Sequence, residues 1–434
     1  MNVLFVATRL AGTDGVSLEA AKMREVFEAR GHRVSFCAGE LDTAADGAAD
    51  GHLVEAMHFR SEQNEALQRR AFPGLLEEGA AAVERDDGAG DDSQLMSDID
   101  ARASEIAEAL GEIVDRTGAD LIVVQNAWAI PMQLPLAVAI ARVVEQRRLP
   151  VLSHNHDYWW ERTRFAGTRV PTIVKGYFPY DGDRVSHVSI NSEAKRSLER
   201  WRGIHSRVLP NVMDFEREPP ALDDYSRDFR ETIDVPPDKL LLLQPTRVVA
   251  RKGIELAIDF AAALADLEPV LVITHEAGDE GLDTLHALEA KAARSGVDLR
   301  YVAEHVGDAR RQRADGSKVY SLWDTYPHAD VVTYPSLYEG FGNALLEAMW
   351  FRRTVLVNRY SVYVEDIAPK GFSLIEIDGE VTHDAIAQAR ALITDAARAE
   401  HAADHNYALC VEHFSYAALA RVLDEALGDI GLSL

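Results

Sequence analysis

The sequence has few cysteines, few lysines and no uninterrupted apolar run of membrane-spanning length, and each shortage argues against a class of protein. Two cysteines, Cys37 and Cys410, occur in 434 residues, which is too few for a disulfide scaffold. Their wide separation and apolar neighbours are typical of buried thiols in a reducing compartment, so we expect a cytoplasmic protein. The first apolar run, residues 2–7, is too short for a signal peptide and is soon followed by Arg9.

Positive charge is also scarce. The chain has 71 Asp and Glu against 45 Lys and Arg, and its formal net charge is −26. A nucleic-acid-binding protein needs a basic surface to neutralise phosphates, so the charge argues against nucleic acid as a partner. Only eight of the basic residues are lysines, a bias that suits an Ala-, Arg- and Asp-rich genome from a saline habitat. The hydrophobic fraction of 47% is ordinary for a folded protein, and the length predicts two or three domains.

One uncharged stretch, residues 121–140, is long enough to cross a bilayer. Gln125, Asn126, Gln133 and two prolines interrupt it. We therefore predict a buried strand at 121–124, a polar turn and then a buried helix, with a transmembrane segment as the less favoured alternative.

Apolar runs alternate with helical patterns along most of the chain, which predicts parallel sheets covered by helices. The first βαβ unit has a strand at 3–7, a glycine turn at 11–17, a helix at 18–29 and a strand at 34–38. Residues 40–115 differ: they are turn-rich, then helical and acidic, with a solvated loop at 86–92. Further strands are predicted at 121–124, 151–154, 185–190, 240–244, 270–274, 299–302, 331–334 and 354–357, with helices beginning near Asn191 (Ser192 as the N-cap) and at Gly253.

A stretch rich in Glu, Asp and Pro follows residues 210–215 and separates two such patterns. We therefore predict an α/β protein with two doubly wound Rossmann-like domains facing each other across a cleft. The predicted domains are 1–212 and 213–415, and an amphipathic helix at about 416–434 is placed to pack back on the first. Ligands of open parallel sheets bind at the carboxyl ends of the strands, so functional residues are expected at those ends.

The strongest motif is P-S-L-Y-E-G-F-G-N-A-L-L-E-A-M at 335–349, where a buried strand leads through a glycine turn into a helix. Gly340 and Gly342 allow the backbone to approach a ligand closely, and a helix start at Asn343 favours phosphate. Glu339 and Glu347 would repel a phosphate, so we expect them to bind sugar and ribose hydroxyls. The alternative is a plain helix cap with an exposed Glu.

A second motif, T-R-V-V-A-R-K-G at 246–253, lies between the first strand and the first helix of the second domain. Arg247 and Lys252 are cations placed to meet a diphosphate, the first as a planar fork and the second as a point charge. The alternative is a solvent-exposed cluster at a helix start.

Two further segments follow strands of the first domain. The turn at 11–17 contains Gly12 and Gly15. It could close over the donor phosphates or over the acceptor, and the alternative is an ordinary turn between a strand and a helix. In S-H-N-H-D-Y-W-W-E-R at 153–162, His154 and His156 are two residues apart and should point to one side, with Asp157 placed to fix a tautomer. A metal site there lacks an evident third ligand, so we predict none.

Together these motifs resemble the retaining GT-B glycosyltransferases of family 4, whose E-x7-E signature matches Glu339 and Glu347. The resemblance is specific in the second domain and weaker in the first, where the glycine loop departs from the family's double-glycine form. It implies that Glu339 contacts donor sugar hydroxyls, Glu347 the ribose, and Arg247 and Lys252 the leaving group. The same resemblance assigns His156 a place near the donor sugar, and assigns donor binding to Gly15 and to Gly340, Phe341, Gly342, Asn343, Ala344 and Leu345.

The acceptor residues follow less directly. We assign His154, Asp157, Trp159 and Arg162 to acceptor binding. For His154 the alternatives are to support the residues that contact the ligand or to serve only the structure. Trp159 and its aromatic neighbours are open to stacking on a sugar or to lining the core. Arg162 and Arg164 are placed to receive an anionic acceptor, and ordinary surface ion pairs are the alternative.

Within this family, residues 10–17, 153–162, 210–215 and 244–255 are similar to bacterial transferases of the mannosylglucosylglycerate synthase type, which build charged compatible solutes. The resemblance implies a hexosyltransferase that moves mannose from GDP-mannose to glucosylglycerate with retained anomeric configuration. A front-face reaction is favoured because no second carboxylate is evident for double displacement. No bound metal or other cofactor is predicted, although a role for Mg²⁺ and a homodimer are both left open.

Other functions are kept as alternatives. A UDP- or ADP-sugar-dependent transferase acting on a lipid or glycan, and a nucleotide-sugar epimerase, fit the same two-domain scaffold. A phosphorylase needs a lysine carrying pyridoxal phosphate, and a noncatalytic sugar binder is expected to lack Glu339 or Arg247. A dehydrogenase is disfavoured because the G-x-G-x-x-G fingerprint is missing.

Overall fold

The computed structural model describes residues 1–12, 14–42, 50–74, 92–165, 167–277 and 282–434. The chain divides into two compact units. Unit 1 consists of Met1–Pro210 together with Leu419–Leu434, and unit 2 consists of Asn211–Ala418.

Unit 1 is built on a parallel sheet of seven strands, in the order β3-β2-β1-β4-β5-β6-β7. The strands are β1 (Asn2–Ala7), β2 (Arg33–Ala38), β3 (Gly51–Leu53), β4 (Leu121–Gln125), β5 (Val151–Asn155), β6 (Val185–Ser189) and β7 (Ser206–Val208). The helices are α1 (Gly15–Ala29), α2 (Glu62–Ala71), α3 (Asp92–Thr117), α4 (Leu134–Arg147), α5 (Pro171–Tyr177) and α6 (Ser192–Arg202).

Unit 2 contains a six-stranded parallel sheet, in the order β10-β9-β8-β14-β15-β16, and a small sheet in the order β11-β13-β12. The strands are β8 (Leu240–Gln244), β9 (Pro269–Ile273), β10 (Asp298–Tyr301), β11 (Val306–Gly307), β12 (Arg311–Gln312), β13 (Lys318–Ser321), β14 (Val331–Tyr334), β15 (Thr354–Asn358) and β16 (Ile375–Ile377). The helices are α7 (Phe229–Thr232), α8 (Ile254–Ala263), α9 (Leu282–Ser295), α10 (Leu322–Thr325), α11 (Asn343–Trp350), α12 (His383–Thr394), α13 (Ala396–Phe414) and α14 (Tyr416–Gly428), and α14 runs on into unit 1.

The strands of unit 2 are apolar on both faces because helices cover the sheet on both sides. Leu241 and Leu243 of β8 belong to one buried cluster, whereas Leu240 and Leu242 belong to the other. Successive side chains of a strand point to opposite faces, so an unbroken leucine run supplies both cores. Each fully buried leucine of this kind contributes roughly 1.5–3 kcal/mol to stability.

The uncharged stretch at 121–140 forms β4 and α4, so the prediction of a strand followed by a buried helix is confirmed. Pro135 lies in the first turn of α4, where its missing N–H costs nothing, and the side chain of Gln133 caps this helix. In the described ranges, none of the helices is both long and apolar enough to cross a membrane.

Two expectations about helix starts were wrong. Asn191, and not Ser192, caps α6, because its side chain accepts from the backbone N–H of Ala194. Helix α1 begins at Gly15 because Asp14 caps it, so the predicted glycine turn is partly helical. Most of the predicted acidic loop at 86–92 lies outside the described residues, and its last residue, Asp92, begins α3.

Candidate functional site

In unit 2, the predicted residues Lys252 and Glu339 are in direct contact. Lys252 Nζ donates to Glu339 Oε1, and Arg251 Nη1 donates to Glu339 Oε2 at 3.1 Å. The side chains of Lys252 and Glu339 are 11% and 10% exposed. Lys252 Nζ also lies 5.6 Å from the ring centroid of Tyr334, at the end of β14. The two motifs of this domain therefore meet in one buried, charged cluster.

The electrostatics keep Glu339 ionised. Burial on its own raises the pKa of this carboxyl group, but its polar neighbours, of which Lys252 has the largest effect, outweigh burial, and the pKa lies below its ordinary value. Burial lowers the pKa of Lys252, and the charge of Glu339 opposes that effect. The cluster therefore places a buried amine against an ionised carboxylate at the carboxyl ends of two neighbouring strands.

The backbone brings the two motifs together through one hydrogen bond and one glycine. The N–H of Leu337 donates to the carbonyl of Arg251 at 2.8 Å, which ties the loop after β14 to the loop after β8. Gly253 has φ +59°, and a Cβ on it would collide with the carbonyl oxygen of Pro335. Gly253 is thus required by both its conformation and this close approach.

The start of α11 is also shaped by a glycine. Gly342 has φ +139°, and a Cβ there would lie 2.8 Å from Tyr360 Oη. That hydroxyl donates to the carbonyl of Phe341 at 2.5 Å. The side chains of Phe341 and Leu345 are buried in the core, so these residues can offer a ligand only backbone atoms. The N–H of Leu345 donates to the carbonyl of Gly342, so one of the predicted phosphate donors is already used.

Glu347 lies one turn inside α11 and is held by a residue that the sequence analysis missed. Tyr326 Oη donates to Glu347 Oε2 at 2.7 Å. Tyr326 is fully buried and its ring stacks on Phe351, with centroids 4.8 Å apart and planes 3° from parallel. Burial, followed by the charge of Glu347, raises the pKa of this hydroxyl well above its usual value. Tyr326 therefore stays a hydrogen-bond donor to the carboxylate.

Arg247 differs in its ion pairing from the other two cations of its motif, Arg251 and Lys252, which both contact Glu339. It is exposed, and within the described residues it forms no ion pair. His275 follows β9, the strand next to β8, and the charges of Lys252 and Arg247 both act on it. His275 was not predicted, because a lone histidine after a strand carries no sequence signal.

In unit 1, His154 and His156 lie side by side as predicted, with ring centroids 4.3 Å apart. His154 Nδ1 is 2.9 Å from Gln125 Oε1 at the end of β4. Burial lowers the pKa of both imidazoles, to about 4 for His156. Both rings are therefore neutral near pH 7.

Asp157 does not fix a histidine tautomer, contrary to expectation. Its carboxylate accepts from Asn126 Nδ2 at 3.2 Å and from the guanidinium of Arg162. Asn126 Oδ1 in turn accepts from the backbone N–H of His156 at 2.9 Å. Asn126 has φ +56°, a conformation that asparagine adopts more readily than most residues. Asn126 therefore joins the ends of β4 and β5, a role that its sequence position alone did not reveal.

The remaining predicted residues of unit 1 are placed less favourably for ligand binding. Trp159 donates its indole N–H to the carbonyl of Phe178 at 3.1 Å and packs against the core. Gly15 is exposed, and a Cβ on it would meet nothing within 4 Å, so no close approach requires glycine there. Their roles, like those of the other site residues, remain predictions.

Over the described ranges, His, Cys, Asp and Glu side chains do not assemble into any group of three that could hold a metal ion.

Known proteins resemble this chain along most of its length. No family model matches the sequence. The chain is 29% identical over 404 residues to the mannosylglucosylglycerate synthase of Petrotoga mobilis, covering 88% of each chain. It is also 29% identical over 456 residues to the mannosylglucosylglycerate synthase of Thermotoga maritima, covering 98% of this chain and 99% of the relative.

Solved structures that resemble this chain include a glycosyltransferase and a protein solved with bound UDP. A glycosyltransferase from Rickettsia africae matches with a TM-score of 0.63 at 13% identity, covering 99% of both chains. HepE from Anabaena, solved in complex with UDP and glucose, matches with a TM-score of 0.61 at 16% identity, covering 98% of this chain and 99% of HepE. The predicted resemblance is therefore confirmed: the chain has the GT-B fold and is similar along most of its length to mannosylglucosylglycerate synthases.

Proposed function

We propose that this chain is a retaining hexosyltransferase that uses a nucleotide diphosphate sugar. GDP-mannose is the proposed donor and glucosylglycerate the proposed acceptor, in the synthesis of a compatible solute. The observation that carries the proposal is the Lys252–Glu339–Arg251 cluster at the carboxyl ends of β8 and β14. Similarity to two mannosylglucosylglycerate synthases over most of the chain supports the choice of substrates.

The charges suit a reaction in which a diphosphate leaves. Negative charge grows on the leaving group as the glycosidic bond to it breaks, and fixed cations stabilise that charge. Lys252 is buried and pre-positioned, and Arg247 is exposed without a carboxylate partner among the described residues. Preorganised donors of this kind each contribute roughly 2.7–4 kcal/mol to transition-state stabilisation.

The same contacts favour a front-face route to retention. A double displacement needs a carboxylate free to attack the anomeric carbon. Glu339 is held by Lys252 and Arg251, which lowers its nucleophilicity and suits it to accept hydrogen bonds from sugar hydroxyls. In the proposed route the leaving phosphate takes the proton of the acceptor hydroxyl. His156, neutral at pH 7, donates or accepts a hydrogen bond near the sugar.

The proposal requires no bound cofactor and is tested by ligand screening followed by product analysis. Thermal-shift measurements with GDP-mannose, UDP-glucose and ADP-glucose should give the largest stabilisation with GDP-mannose. Incubation with glucosylglycerate should then give an α-linked product by NMR, with and without EDTA. A response to none of the three sugars would contradict the transferase assignment, whereas a β-linked product would contradict retention alone.

A further inference from the structure

His275 lies next to the proposed diphosphate site. It follows β9, which pairs with β8 through Gln244 and Ile273. The backbone N–H of Val248 donates to the carbonyl of Glu276 at 3.3 Å. The segment that carries Arg247 and the segment that carries His275 are therefore bonded directly to each other, beyond the ends of two adjacent strands.

The imidazole of His275 is partly buried and already has one polar neighbour. Its Nδ1 lies 3.1 Å from Thr274 Oγ1. The hydroxyl of Thr274 can act as donor or acceptor, so this contact persists in both protonation states of the ring. A protonated ring would keep Nδ1–H on Thr274 and direct its second N–H, on Nε2, elsewhere.

Among the protein's own charged side chains that act on His275, two are positive and one is negative. Burial has the largest effect and lowers the pKa of His275 to about 4, together with the positive charges of Lys252 and Arg247. The negative charge of Asp308 acts in the opposite direction. An anion among these cations reverses the balance, since a nearby negative charge favours the charged imidazolium. The diphosphate of a nucleotide-sugar carries two negative charges between pH 5 and 8 and has no proton of its own to exchange in that range.

We propose that His275 is a third cationic ligand of the donor diphosphate, beside Arg247 and Lys252, and that it takes up a proton when the donor binds. The proposal rests on the proposed function, because it assumes that the diphosphate occupies the end of β8. The proton comes from solvent and returns to solvent when the nucleotide leaves. Binding of the donor and protonation of His275 are thus linked, and each favours the other.

The test is isothermal titration calorimetry with intact GDP-mannose in the absence of acceptor. Titrations at pH 6 in buffers of different ionisation enthalpy measure the number of protons taken up on binding. We expect a net uptake approaching one proton, and a Kd that tightens from pH 8 to pH 5.5 by at most about tenfold per pH unit. The H275Q variant should bind without proton uptake, with a Kd that is close to the wild-type value at pH 8 and weaker at pH 5.5.

Exposed His286 on α9 provides a matched control. The H286Q variant should keep the full proton uptake, and unchanged melting temperatures would exclude misfolding of either variant. Binding of GDP-mannose without proton uptake, or uptake that survives in H275Q, would overturn the proposal for His275 while leaving the transferase assignment intact. If GDP-mannose fails to bind but UDP-glucose binds, the same titrations are made with UDP-glucose. Failure of every nucleotide-sugar to bind would overturn both proposals.

Discussion

Tyr326 Oη donates a hydrogen bond of 2.7 Å to Glu347 Oε2, and this contact fixes the second carboxylate of the E-x7-E motif. Tyr326 lies just after α10, 21 positions before Glu347 in the sequence. The buried ring cannot move without disturbing its stack on Phe351. Tyr326 therefore positions the carboxylate to which the proposed function assigns the donor ribose.

Replacing Tyr326 by Phe should weaken nucleotide binding while leaving the core packed. Without the hydroxyl, the Glu347 carboxylate is no longer held in one position for its proposed contact with the ribose. GDP should therefore bind about tenfold more weakly, comparable to the loss of one hydrogen bond to a charged group. The preference for GDP over its 2′,3′-dideoxy analogue should shrink, and calorimetry measures both. Tyr320→Phe is the matched control, because buried Tyr320 donates to Asp228. Equal loss of affinity in both variants would contradict a specific role of Tyr326.

Substituting either member of the Lys252–Glu339 pair should abolish transfer. Glu339→Gln keeps the size of the side chain but removes the charge that Lys252 contacts, and Lys252→Ala removes a cation from the leaving group. We expect kcat to fall at least about 100-fold in each variant, as for loss of one preorganised donor. A radiometric or coupled transfer assay measures the rate, and circular dichroism checks the fold.

Lys291→Ala controls for the loss of a lysine, because Lys291 pairs with Asp259 at a half-exposed position in the same unit. It should retain transfer activity. Full activity in Glu339→Gln or Lys252→Ala would contradict the assignment of the site.

Glu347→Ala should act mainly on donor binding. The proposed ribose contact is made in both the ground state and the transition state, so its loss raises KM more than it lowers kcat. Initial rates over a range of GDP-mannose concentrations separate the two constants. A fall in kcat with KM unchanged would instead assign Glu347 to the chemical step.

Stability should fall as the pH drops below the ordinary pKa of histidine. His187 on β6 is 3% exposed, and burial lowers its pKa to about 4. Between pH 6.5 and pH 4 the unfolded chain binds a proton at His187 that the folded chain does not. The free energy of unfolding therefore decreases towards pH 4, by up to about 1.4 kcal/mol per pH unit for this residue.

Differential scanning calorimetry from pH 7 to pH 4.5 measures this dependence. The His187→Asn variant should lose less stability on acidification than the wild type does. His286→Asn, at an exposed position, should behave like the wild type. An unaltered pH dependence in His187→Asn would show that other groups dominate.

The sequence by itself determined the main strands and helices of this protein. Apolar runs such as 240–244 and 331–334 predicted the strands β8 and β14 correctly, because a strand buried on both faces needs an unbroken apolar run. The glycine turn before Asn343 predicted the start of α11. The E-x7-E motif and its companions pointed to the GT-B glycosyltransferases, and the structural comparisons bear out that fold.

Only the tertiary structure decided which side chains meet. The bonds from Arg251 to Glu339 and from Tyr326 to Glu347 join residues 88 and 21 positions apart, and no local pattern encodes such pairs. Short strands such as β7 and β16 are likewise specified by their neighbours in the sheet more than by their own few residues. Local periodicity fixes secondary structure, whereas charge pairing and pKa depend on burial and distance in the folded chain.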